Sequence, residues 1–185
     1  MENKPERIIS LFSKIPPSVR FILTGLFLYV LWIILYEGIF KPHQWIDPWL
    51  TQVVSAHSVR ILRLLGYVAS DRIIESGTVL YNGTQGMLRI AFICDGLILN
   101  VIFMIFIVAF PGPVRHKCWF IPAGFFLIYL INLFRVVMLM IIRIHKPEYL
   151  HFNHKYTFTM IVYGFIFMLW YTWVRKFSSM KIERK

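Results

Sequence analysis

The chain has 185 residues, of which 58% are hydrophobic, 17% aromatic and only 16% charged, and its mean hydropathy is +0.64. Such a balance excludes a water-soluble globular domain and puts the chain in a bilayer, as one integral membrane domain covering residues 1–185. The formal charge of +11 does not signal a nucleic-acid partner, because Lys and Arg flank apolar runs instead of gathering on one basic face.

Four runs, at residues 21–40, 94–110, 119–142 and 157–174, come close to the ~20 residues that cross ~30 Å of hydrocarbon. They predict an all-α polytopic membrane protein with about four transmembrane helices and lipid around them. The first run is longer than the core of a signal peptide, and no small-residue cleavage site follows it, so it is expected to stay as an anchor. Residues 41–93 have a different texture. Over 48–68, apolar residues recur at helical spacing with Arg60 and Arg63 among them, which predicts an amphipathic helix lying at the membrane interface. Over 72–92, Asn82-Gly83 and Gln85-Gly86 separate β-branched and aromatic runs, the pattern of a short β-hairpin that delivers the chain to Cys94.

Orientation follows from the basic residues in the short flanks. Lys4, Arg7, Lys14 and Arg20 precede the first run, Arg115 and Lys117 sit between the second and third, and Arg175, Lys176, Lys181, Arg184 and Lys185 follow the fourth. All three segments are expected on the cytoplasmic side of the plasma membrane, which makes residues 1–20 a cytoplasmic basic N-terminus. Residues 41–93 and 143–156 then lie outside; Arg143, Lys146 and Lys155 run against the rule, but both chain ends agree with it.

The chemistry concentrates in residues 94–175. FICDGL, residues 92–97, sets a thiol, a carboxylate and a glycine at the outer start of the second run. A disulfide is not expected, because Cys118 starts the third run at the opposite membrane face. Asp95 is costly in lipid, so it belongs at the water boundary or against a partner, either as a helix cap or beside a cation. Gly96 lets another helix or a substrate backbone come close. A Cys94 thiolate at a helix N-terminus gains from the unpaired amides, and Asp95 opposes it unless a cation such as Arg135 is near.

In the third run, Asn132 and Arg135 fall at i and i+3 on one helix face, with Arg135 about 10 Å below the outer end at ~1.5 Å per residue. The loop before the fourth run carries His145, His151 and His154. His151 and His154 share a metal-like spacing, but further ligands are offered only loosely, so neither a metal nor another cofactor is expected. His154, tethered to the start of the fourth run, is the preferred base. With Cys94 as nucleophile and Arg135 on the oxyanion or a substrate carboxylate, the set describes acyl transfer through a thioester. A non-catalytic membrane subunit, with Asn132 and Arg135 gripping a partner helix, is the competing reading.

CDGL at Cys94–Leu97, NLFR at Asn132–Arg135 and the histidine of NHKYTF together resemble the exosortase and archaeosortase family, over roughly residues 86–171. The resemblance implies a membrane cysteine transpeptidase with Cys94, Arg135 and His154 (or His151) in the catalytic positions. Its partner would be an exported protein with a C-terminal tripartite sorting signal: a short motif, an apolar helix and a basic cluster. Asp95 departs from the Ser or Asn that many members carry between Cys and Gly.

Overall fold

A backbone in hydrocarbon has to pair its amides within its own segment, so the long apolar runs form helices. The computed structural model describes residues 16–178, and Lys4, Arg7, Lys14, Lys181, Arg184 and Lys185 of the orientation argument lie outside them. Helix α1 (Pro17–His43) begins with proline in its first turn, widens into a π-type turn over Tyr36–Phe40, and stops where Gln44 takes φ 48°. None of the side chains of Pro17–Leu35 is buried by protein, as suits a helix whose solvent is lipid.

Helix α2 (Ile46–Leu64) has the amphipathic character its sequence predicts: Thr51, Val54, Ser55, Ser58, Val59 and Leu62 are buried, while Arg60 and Arg63 are exposed. Its apolar face is spent differently from the expectation of an interfacial helix. It packs on a small sheet and on the C-terminal half of α4, so the buried stripe belongs to a protein core and not to the headgroup layer.

Strands β1 (Ala69–Ile74), β2 (Gly77–Asn82) and β3 (Gln85–Ala91) form an antiparallel sheet in that order. The predicted hairpin is β2–β3, with Asn82 paired to Gln85 and Gly83 at φ 61° in the turn. The hairpin expectation had no place for β1, whose centre, Ser70-Asp71-Arg72, is polar.

Helices α3 (Leu97–Ala109), α4 (Val114–His145) and α5 (Pro147–Phe177) complete the chain. By length and composition α1, α4 and α5 can each cross a membrane. The second expected span is shorter than its apolar run: α3 has 13 residues. At ~1.5 Å per residue it rises about 20 Å, less than the ~30 Å of a hydrocarbon layer. Gly96 at φ 92° cuts its start, and Phe110, extended before Pro111-Gly112-Pro113, cuts its end.

Two cores result. Leu99, Phe103, Ile107, Ile128, Val162 and Trp173 join α3, the N-terminal half of α4, and α5. Val54, Leu62, Leu80, Ile90, Val136 and Met140 join α2, the sheet and the C-terminal half of α4. Where α4 crosses the first bundle, Gly124 lies against the Phe103 ring, which is 0% exposed, so any Cβ there would overlap the ring. Gly124→Ala should therefore destabilise the detergent-solubilised protein by about 1–3 kcal/mol. Gly164→Ala, where a Cβ meets nothing within 4 Å, should be neutral or stabilising. Thermal unfolding of both variants measures the difference.

Candidate active site

Cys94 sits at the seam between the two cores, on a chain reversal that several contacts fix. Strand β3 ends at Ala91, Phe92–Cys94 make a single 3-10 turn, and Gly96 in the left-handed region turns the backbone into α3. Leu97 N donates to Asp95 Oδ1 at 2.8 Å, so Asp95 caps the start of α3. From α4, the buried Asn132 donates through Nδ2 to the Cys94 carbonyl at 3.2 Å. A Cβ on Gly96 would stand 3.2 Å from that Nδ2, so the room the glycine leaves is taken by α4. Asn132 is thus a clamp on the backbone of the turn.

The Cys94 side chain is half-buried, and its Sγ lies 3.8 Å from His154 Nε2. Arg135 Nη2 lies 3.3 Å from the same nitrogen. A guanidinium has no lone pair to offer, so Nε2 must be the acceptor; we infer a neutral imidazole with its proton on Nδ1. That lone pair also faces the thiol. His154 owes its position to a second π-type turn, Asn153–Thr157, which interrupts α5 beside the site. The remaining free volume between Cys94, Arg135, His154 and the end of β3 is about 20 Å³, room for a water and not for a peptide.

The other histidines play different parts: His151 is exposed and near enough to His154 for their charges to interact, but it makes no hydrogen bond to Cys94 among the described residues, and His145 is 2.8 Å from the hydroxyl of Tyr67, just beyond α2. Among the described residues no cluster of three or more His, Cys, Asp or Glu could hold a metal, and Cys94 and Cys118 are both free thiols.

Two expectations need correction. The thiol was expected at the N-terminus of the second span, yet Cys94 precedes α3 in the 3-10 turn, and the Leu97 amide is already taken by Asp95. Helix-end stabilisation is therefore weak at this sulfur, and the nearby charge is that of Arg135. Nor does Asp95 face a cation. It is 3% exposed and lines one cavity with Asp47 of α2, 4% exposed, which accepts from Tyr36 Oη at 3.2 Å. Sequence reasoning missed Asp47 and Tyr36; Asp47-Pro48 reads as an ordinary helix start, and no spacing links it to residue 95.

No curated protein and no solved structure matches the chain. A family model described as transmembrane exosortase matches residues 9–173, which include the turn, Arg135 and His154. The chain belongs to the transmembrane exosortase family.

Proposed function

We propose that this protein is a membrane-embedded cysteine protease or transpeptidase that cleaves the C-terminal sorting signals of exported proteins at the outer face of the plasma membrane. The observation that carries the reading is the meeting of Cys94 Sγ, His154 Nε2 and Arg135 Nη2 from three separate segments. Two membrane-inserted helices holding a thiol-base pair and a guanidinium at one point is more than packing requires.

The steps follow from the donors and acceptors. His154 Nε2 takes the Cys94 proton, and Sγ attacks the scissile carbonyl carbon, forming a C–S bond and an oxyanion. Once protonated, Nε2 no longer accepts from Arg135, which frees the guanidinium to turn to the oxyanion. Collapse expels the amine with the proton from His154 and leaves an acyl thioester on Cys94. Water or an amine, deprotonated by His154, then attacks the thioester and restores the thiol. The position of the basic segments supports both termini in the cytoplasm, with the site opening outward. The substrate is an exported protein ending in a short motif, one apolar helix and a basic tail, and it reaches the cleft sideways through lipid.

An acyl-enzyme is the direct test. A substrate of this type co-expressed with the protein should give an adduct on the peptide containing Cys94, released by neutral hydroxylamine as a thioester is. An adduct that survives hydroxylamine, or maps to Cys118, would sink the reading. The competing view of a non-catalytic subunit predicts no adduct.

A further inference from the structure

Behind the Cys94 turn, on the side away from His154, lies a cavity of about 440 Å³ walled by α1, α2 and the start of α3. Asp47 and Asp95 both line it, and both are buried. Lys41 is the basic residue on its wall, and its Nζ is committed to Glu37 at 2.7 Å and 3.0 Å. Two carboxyls side by side, buried, without a cation, do not both ionise.

The hydrogen bonds say which one keeps the proton. Tyr36 Oη donates toward both oxygens of Asp47, as a carboxylate requires. Asp95 Oδ1 accepts from Leu97 N, while Oδ2 is buried without any donor to receive, among the described residues. An orphaned acceptor is costly, but a protonated Oδ2 is a donor, and Asp47 is the other carboxyl on the wall of the same cavity. The chain then closes from Tyr36 to Asp47, to Asp95, to the amide of Leu97. We propose that Asp47 is a positioning residue for the nucleophile: it accepts the Asp95 proton in a hydrogen bond, takes the negative charge onto α2, and leaves the residue next to Cys94 uncharged.

The consequence bears on the thiol. An ionised Asp95 would oppose the Cys94 thiolate, and the charged and titratable neighbours divide cleanly. Tyr36, Glu37 and Lys41 of α1 and Asp47 of α2 stand on the cavity side. Arg135 of α4 and His154 of α5 stand on the sulfur side. The proposal rests on the catalytic reading only for its purpose; its test reads the thiol and not turnover, so either can fail without the other.

The test is the rate at which N-ethylmaleimide, small and membrane-permeant, alkylates Cys94 of the detergent-solubilised protein across pH, in a Cys118→Ser background. Asp47→Asn removes the competing carboxylate and offers an amide donor to Asp95, which then ionises; alkylation near neutral pH should fall about fivefold to tenfold as the thiolate is disfavoured. Asp95→Asn is neutral, as the acid is, and its amide donates to Asp47 as the acid does, so its rate should stay within about twofold of the parent. A structural role alone would slow both or neither. Equal rates for Asp47→Asn and parent, or a several-fold faster Asp95→Asn, would overturn the proposal. Should Asp47→Asn fail to fold, the infrared spectrum of the unsubstituted protein decides: a protonated-carboxyl band at neutral pH that Asp95→Asn removes is expected, and its absence overturns the assignment.

Discussion

Cys94→Ala is expected to abolish processing, with a fall of roughly four orders of magnitude, the size seen when the nucleophile of a covalent mechanism is removed. The readout is the ratio of precursor to cleaved product for an exported protein ending in the three-part signal. The loss should come without unfolding. Cys94 is only half-buried, and the turn is held by contacts to its backbone: Asn132 to the Cys94 carbonyl, and Asp95 to the Leu97 amide. Alanine keeps both. Cys94→Ser should fold equally well and remain nearly inactive, since an alcohol beside one imidazole is a far weaker nucleophile than a thiol. Processing by Cys94→Ala at the parent rate would end the catalytic reading.

The second large effect separates two histidines that the sequence leaves level. His154→Ala should reduce processing by about three orders of magnitude, as loss of a general base does. His151→Ala, which removes an exposed ring without contact to the sulfur, should stay within about threefold of the parent. The same pair can be read by thiol chemistry: His154→Ala should shift Cys94 alkylation to higher pH, and His151→Ala should not. The reverse pattern would hand the base to His151 and require the widened turn at Asn153–Thr157 to rearrange on substrate binding.

The expectation that failed most instructively concerns Asp95. Its cost in lipid is legible in the sequence, and so is the cap it provides to α3, because both are properties of a carboxylate next to a helix start. Its partner was not legible. A carboxylate invites the search for a cation, and Arg135 is the obvious one, whereas the fold compensates the charge with a proton and a second acid 48 positions earlier in the chain. The same limit explains α2. Periodicity over 48–68 showed that one face must be hidden, and the structure buries Thr51, Val54, Ser58 and Leu62 there, but a sheet and a lipid headgroup layer hide an amphipathic face equally well, so the sequence could not choose between them.

That Cys94, Arg135 and His154 meet was suggested by sequence through short motifs that resemble the family's, and Asn132 because it shares a helix face with Arg135. The length of α3 was not, since hydropathy counts apolar residues whether or not they are helical; the run begins at Cys94, but helix begins at Leu97. The strand β1 was lost for the opposite reason, its middle being too polar for a strand read by alternation.

On the proposed function, the shortness of α3 bears on which proteins the site can meet. In the proposed orientation, with the loop to α4 at the cytoplasmic boundary, a helix rising about 20 Å leaves the residue before it roughly 10 Å beneath the outer hydrocarbon boundary. Arg135, placed from its own helix, comes to the same depth. On that arrangement a bond to be cut would have to descend below the headgroups, and a freely diffusing peptide has no reason to go there. A protein already tethered by its own apolar helix carries its juxtamembrane segment to that depth on arrival. Such recess alone would confine the proposed activity to anchored clients and spare the soluble proteins that pass it.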